Sequence, residues 1–181
     1  MGKGQIMTEE QIDRTLKRIA HEIIEKNNDL TDIIIVGIQT RGEFLGERLQ
    51  SKIMDILSIH IPLETLNITF YRDDLEVIEG LDEPLTGEIT IQHDLTNKTV
   101  ILVDDVLYTG RTVRAAMDAI LSNYRPSAIQ LAILIDRGHR ELPIRADFVG
   151  KNVPSSKSEQ IKVMLKEIDG EDSVQIIKKE E

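Results

Sequence analysis

The chain has 181 residues, 40% of them hydrophobic, with a formal net charge of −10 and no cysteine. That length fits one domain with a sizeable core, the missing cysteines exclude disulfides and thiolate metal sites, and the acidity argues against a nonspecific binder of nucleic acid. No apolar run approaches the roughly 18 residues that span a bilayer, and "MGKGQIMTEEQ" has no apolar signal core, so a cytoplasmic protein without membrane segments is expected.

Thr8 followed by Gln11 reads as a capping box that opens a helix. Ile12, Leu16, Ile19 and Ile23 then recur at helical spacing and give it one apolar face. "IIIVGI" at 33–38 is a β-branched run suited to a buried strand, and it leads through "QTRGEF" into a helix over "LGERLQSKIMDIL". The alternation of Leu66, Ile68 and Phe70 predicts a second strand within "IPLETLNITFY". From Arg72 to about Glu88 the chain is acidic, carries Gly80, Pro84 and Gly87, and keeps no period. It reads as a long loop of the kind that serves as a lid. "TVILVDD" is the next strand, "TVRAAMDAILSN" its helix, and "SAIQLAILI" a further buried strand before a polar turn at Asp136. "ADFVG" and "IKVMLKEI" predict short strands near the C-terminus. Strands alternating with helices argue for a parallel α/β sheet.

Charge is unevenly distributed. Residues 72–94 set one arginine against eight carboxylates, whereas 137–151 hold Arg137, Arg140, Arg145 and Lys151 against only Glu141 and Asp147. On the first helix, at 100° per residue, Arg14, Lys17, Arg18 and His21 cluster within about a third of the circumference, opposite the apolar stripe. No acid interrupts residues 14–21. Such a face is commonly just a solvated one; joined to "RGHR", Arg145 and Lys151 it makes a basic surface on an acidic protein.

The densest chemistry lies in "VILVDDVLYTGRT" at 100–112. Ligands of open α/β sheets sit beyond the carboxyl ends of strands, where Asp104 and Asp105 fall together with the "QTRG" loop. Gly110 lets backbone approach a ligand closely, Thr109 and Thr112 offer hydroxyls, and the N–H groups opening the next helix form an anion site. Paired carboxylates accept from vicinal ribose hydroxyls or hold a water-clad Mg2+, although an Asp pair after a strand also serves as a helix cap or solvated turn. A P-loop is excluded, because G-x-x-x-x-G-K-[ST] does not occur.

These thirteen residues resemble the PRPP-binding signature of type I phosphoribosyltransferases. "TRG" at 40–42 looks like that family's pyrophosphate loop and "YRDDL" at 71–75 like the start of its catalytic loop. "DRGHRELPIRADFVGKNVPSSKSE" at 136–159 is similar to the branch of the family that regulates pyrimidine operons and also acts as a uracil phosphoribosyltransferase. The resemblance runs from about Ile12 to Val174.

It implies an α/β fold with a central, mainly parallel sheet flanked by helices and a small hood of N- and C-terminal segments. One domain over 1–181 is expected, with a flexible catalytic loop at about 72–88 and a hood segment at about 146–181. By resemblance, uracil displaces pyrophosphate from PRPP to give UMP. Asp104 and Asp105 would hold the ribose hydroxyls and orient Mg2+, which is bound mainly through PRPP and water. Val106, Leu107 and Tyr108 lead into Thr109, Gly110, Arg111 and Thr112, which would wrap the 5-phosphate. Thr40 and Arg41 would take pyrophosphate, in a loop where the family often has a non-proline cis peptide, and Arg72 would close over the leaving group. Arg137 and the backbone of Val149 would read uracil. The resemblance also implies binding of a pyr mRNA leader stem-loop when UMP or UTP is bound, promoting transcription attenuation, through Arg14, Lys17, Arg18, His21, His139, Arg140, Arg145 and Lys151. A homodimer or homotetramer is implied as well. Gln39 stands where the family often has lysine, Lys17 where it has threonine, and "VPSS" replaces "IPTS". Two alternatives stay open: a phosphoribosyltransferase for another base without an RNA role, and an RNA regulator with a weak or inactive catalytic site.

Overall fold

The computed structural model describes residues 3–71 and 89–178. In chain order the elements are β1 (Lys3–Thr8), α1 (Glu9–Lys26), β2 (Ile33–Ile38), α2 (Arg41–Leu57), β3 (Leu63–Leu66), β4 (Thr99–Leu107), α3 (Arg111–Asn123), β5 (Ala128–Asp136), β6 (Phe148–Asn152), β7 (Glu159–Met164), α4 (Lys166–Asp169) and β8 (Ser173–Lys178). Five strands pair in the order β3-β2-β4-β5-β6, every neighbour parallel. A separate antiparallel sheet, β1-β8-β7, forms the hood.

The apolar runs are continuous because the large sheet is covered on both faces. All six residues of β2 are buried. The pleat sends Ile33 and Ile35 to the face shared with Ile12 and Leu16 of α1 and Leu45 and Leu49 of α2. It sends Ile34, Val36 and Ile38 to the opposite face, against Val113, Ala116 and Ile120 of α3. Each large aliphatic side chain buried this way contributes about 1.5–3 kcal/mol. The expected capping box on α1 is present: the Gln11 N–H donates to Thr8 Oγ1 at 3.3 Å, and the Thr8 N–H to Gln11 Oε1 at 2.9 Å.

Two expected boundaries shift. The strand foreseen through Phe70 stops at Leu66, opposite the last residue of β2, Ile38. Asn67 then closes an Asx turn, its Oδ1 accepting the N–H of Thr69 at 3.0 Å, and a 3-10 turn follows at Thr69–Tyr71. The hood was expected from about 146, but β6 pairs with β5 as the edge of the large sheet, so only residues 159–178 of that stretch enter the small one. Its third strand, β1, comes from the other end of the chain and carried no periodic signal long enough to read.

Ion pairs fasten the hood to the body. The Arg48 guanidinium on α2 donates to Asp172 at 2.8 Å and to Glu167 at 2.6 and 2.9 Å. The Arg48 hydrogen bond holds Glu167 below its ordinary value of 4.5. At Asp172 burial pushes upward, but the bonds to Arg48 and the Lys166 N–H outweigh it and the carboxyl lies below 3.8. Depressed carboxyl values mean that this stabilisation is complete above about pH 4.5 and is lost as pH falls through the folded-state values. Arg48→Met should therefore lower stability by about 2 kcal/mol at pH 7, and its deficit should shrink at pH 3.5. Urea unfolding at the two pH values checks this, and a deficit independent of pH would contradict it.

Candidate active site

The carboxyl ends of β2 and β4 bring two helix starts and two carboxylates together. Asp104 is buried, with 7% of its surface exposed, and its Oδ1 accepts the Asp105 N–H at 2.9 Å. Asp105 is half-buried, and its Oδ1 accepts the Val106 N–H at 2.8 Å. Each carboxylate is thus oriented by the backbone of the next residue. Gly110 follows at φ 95°, a left-handed conformation that favours glycine. Residues 106–113, with Glu141 on the rim, enclose a cavity of about 310 Å3.

The caps indicate what these helix ends are suited to hold. Helix α1 is closed by a side chain, whereas α2 and α3 have no side-chain cap bond from Thr40 or Gly110. Thr109 Oγ1 does accept the Arg111 N–H, at 3.3 Å. A helix N-terminus with its dipole directed at a cavity favours an anion. The Gln39–Thr40 peptide is cis, as the resemblance implied. Gly42 lets α2 start directly against β4, since a Cβ there would lie 2.3 Å from the Val103 carbonyl oxygen and 3.2 Å from Asp104 Cα. Thr40 and Asp104 are thereby brought to one site.

Several expected contacts are placed differently. Arg41, foreseen on pyrophosphate, points its guanidinium at the hood: Nε donates to the Val163 carbonyl at 2.8 Å and Nη2 to Asp169 at 3.1 Å. Asp169 lies below its usual range, mainly through the Leu165 N–H and then through Arg41. Arg137, foreseen on uracil, is buried, and its donors go to Ser155 Oγ and to the carbonyls of Ser156 and Glu159. It also stacks 4.1 Å above the Tyr108 ring. Arg140, foreseen on RNA, is turned inward to the carbonyls of Tyr108 and Ile144 and to Asp136. His139 bonds the Ser155 carbonyl and meets the Tyr108 ring edge-on.

The three basic residues of "RGHR" turn inward to two neighbouring loops. The segment after β5 folds back on the phosphate loop, where the Glu141 and Leu142 N–H groups both donate to the Thr109 carbonyl, at 2.9 and 3.1 Å. Arg140 satisfies the Tyr108 carbonyl of that loop, whereas Arg137 and His139 satisfy carbonyls of the turn at 155–159. Glu141 was not foreseen; it meets Arg111 Nε at 2.9 Å on the cavity rim, and no spacing in the sequence signals that role.

The remaining basic residues stay outside. Arg14, Lys17, Arg18 and His21 are exposed on α1, and Arg145 and Lys151 are exposed around β6. Arg14 and Lys151 line one shallow depression with Thr15 and Gly150. Val149 lies level with Asp104 across the sheet, because Asp104 pairs with Ile133 and Ile133 with Val149. Arg72 and the loop at 72–88 lie outside the described residues.

The phosphoribosyl transferase domain family matches residues 3–167. The chain belongs to the phosphoribosyltransferase family. It has the type I phosphoribosyltransferase fold, and it is 56% identical over 174 residues to the Bifunctional protein PyrR of Halalkalibacterium halodurans, covering 96% of this chain and 97% of that one. Identity to the Bifunctional protein PyrR of Bacillus subtilis is 53% over 178 residues, 98% of each chain. Among solved structures, the hypoxanthine phosphoribosyltransferase of Trypanosoma cruzi superposes with a TM-score of 0.73 at 17% identity over 97% of both chains, a likeness of fold.

Phosphoribosyltransferases generally use Mg2+ with PRPP. Among the described residues no group of three or more His, Cys, Asp or Glu could hold a metal by itself. Two adjacent carboxylates fit an ion that receives its other oxygens from substrate and water, since Mg2+ keeps part of its hydration shell. Among the described residues no helix is long and apolar enough to cross a membrane.

Proposed function

We propose that this phosphoribosyltransferase converts uracil and PRPP to UMP and pyrophosphate, and that it regulates a pyrimidine operon by nucleotide-dependent binding to a pyr mRNA leader stem-loop. The observation carrying the first part is the cavity of about 310 Å3 wrapped by residues 106–113 at the end of β4. Identity above 50% over nearly the whole chain to proteins named Bifunctional protein PyrR supports the second.

In this reading the 5-phosphate lies in the cavity, on the amides that open α3 and beside the hydroxyls of Thr109 and Thr112. Asp104 and Asp105 accept from the ribose hydroxyls. Pyrophosphate faces the start of α2 at Thr40 and Arg41, where main-chain N–H groups serve in place of the Arg41 guanidinium. Two strand spacings, about 10 Å, separate Asp104 from Val149, so the base lies across β5 from the sugar with the Val149 backbone as its reader. The C1–N1 bond forms as the C1–O bond to pyrophosphate breaks and the N1 proton of uracil leaves to pyrophosphate or water, and the chain contributes alignment and charge complementarity rather than a nucleophile. Asp104 and Asp105 would hold Mg2+ through PRPP oxygens and water, and the ion would supply neutralising charge to the pyrophosphate. Arg137 shapes the base site as a brace. RNA meets the face of α1 together with Arg145 and Lys151, in a cytoplasmic homodimer or homotetramer.

Incubation with PRPP, Mg2+ and each base in turn tests the enzyme: UMP is expected from uracil, and no UMP would overturn the assignment. Filter retention of the leader stem-loop should rise when UMP is added. Equal, weak retention of unrelated RNA would overturn the regulatory part.

A further inference from the structure

Exposed arginines usually end in water, yet Arg18 does not. Its Nη2 donates to two successive backbone carbonyls of β6, Val149 at 3.2 Å and Gly150 at 2.6 Å, and its Nη1 pairs with Glu22 at 2.6 Å. Roughly half of its side-chain surface, 47%, remains exposed. Glycine at 150 makes the reach possible. A Cβ there would lie 2.3 Å from the Leu134 carbonyl oxygen and 2.9 Å from Thr15 Cγ2, so α1 settles on β6 only because no side chain intervenes. Arg18 sits one turn beyond Thr15 on the same helix and is delivered to the edge of the sheet, where β6 has a single strand neighbour.

The two carbonyls occupy a particular place. Val149 is level with Asp104, separated from it by one strand, and Gly150 forms part of the depression that also holds Arg14 and Lys151. The same peptide step therefore borders the nucleotide site on one side and the basic face on the other. A charged guanidinium shared by two neutral carbonyls forms bonds stronger than neutral ones, so it holds the tilt of the 149–150 backbone. A base bonding to the Val149 backbone must act on a peptide whose orientation Arg18 sets, and any shift it causes moves Arg18 and Glu22 on α1.

We propose that Arg18 is a positioning residue, whose hydrogen bonds to Val149 and Gly150 align the base-reading backbone and transmit occupancy of the nucleotide site to the basic face of α1. The proposal rests on the function given above, with uracil at Val149 and RNA on α1. Reciprocity of coupling requires that a residue carrying the link affect base affinity as well as the nucleotide dependence of RNA affinity.

Arg18→Gln removes the charge and the fork, and Arg18→Lys restores the charge alone. For Arg18→Gln, KM for uracil should rise about fivefold, a loss of the size of one ordinary hydrogen bond because the effect reaches the base indirectly, with KM for PRPP and kcat within about twofold. Its RNA retention should become nearly equal with and without UMP. Arg18→Lys should recover part of both effects. Arg14→Gln, on the same face but without a bond to β6 carbonyls, should weaken RNA retention by one factor in both conditions. The proposal is overturned if Arg18→Gln leaves KM for uracil unchanged and weakens retention equally with and without UMP, since Arg18 would then be an RNA contact only. Failure of the underlying function is distinguished by the unaltered protein: if it forms no UMP or retains no stem-loop, that reading falls, and this proposal with it.

Discussion

Asp104→Asn and Asp105→Asn should each lower kcat/KM for PRPP by about 10²–10³-fold, the loss typical when a preorganised electrostatic contact to the reacting group is removed. The substitution keeps size and one carbonyl acceptor, so the bond from the Asp105 N–H to residue 104 can persist, as can that from Val106 to residue 105. Stability should therefore change by no more than about 1 kcal/mol, and thermal unfolding separates this from a folding defect. In the function proposed above, the lost quantity is negative charge that would face the ribose hydroxyls and the Mg2+–pyrophosphate chelate. Asp104 is the more buried of the two, with its effect less screened by water, so its replacement should be the more damaging. If both carboxylates act on one sugar, as proposed, the double variant should lose much less than the product of the single losses. Steady-state kinetics with PRPP varied decides the matter, and a kcat within twofold of the unaltered protein would remove the aspartates from the reaction.

Gly42→Ala should be strongly destabilising, costing more than about 3 kcal/mol. Alanine would improve helix propensity by about 1 kcal/mol, so the sign depends on the clash. The new Cβ would meet main-chain atoms of the central strand, the Val103 carbonyl oxygen at 2.3 Å and Asp104 Cα at 3.2 Å, and β4 is held on both sides by parallel neighbours. Backbone fixed in this way cannot yield, so α2 would have to lift away, carrying Thr40 and Arg41 from the aspartates. Gly46→Ala one turn later is the control. Its Cβ would meet side-chain rather than main-chain atoms, Leu63 Cδ1 at 3.0 Å, a side-chain end that can rotate, and Ile35 Cγ2 at 3.3 Å, and a change within about 1 kcal/mol is expected. Urea midpoints of the two variants test the contrast; equal midpoints would show that the contact with β4 is not what the glycine serves.

Legibility followed the range of the forces involved. The strands of the large sheet were readable because burial on both faces demands uninterrupted apolar residues, mostly β-branched, as in 33–38 and 100–103. The capping box and the glycine turn that opens α3 were readable because their partners lie within a few residues of one another. The end of β3 was not, since Ile68 and Phe70 keep the alternation although β2 stops at Ile38 and offers no further partner. The hood was readable only in outline, because β1 and β8 pair across almost the whole chain, Lys3 opposite Ile177.

The basic residues show the division most clearly. By itself the sequence determined that a strand runs into two carboxylates and a Thr-Gly-Arg-Thr turn, and that α1 presents Arg14, Lys17, Arg18 and His21 opposite its apolar stripe. Helical and strand periodicity are local geometry and need no partner. Only the tertiary structure decided which cations face outward. Arg137 and Arg140 turn in to carbonyls of distant loops, Arg41 turns to the hood, and Arg18 reaches β6 more than 130 positions away. An arginine carries the same charge and reach in every sequence context; the acceptors it finds are set by how the chain folds back on itself.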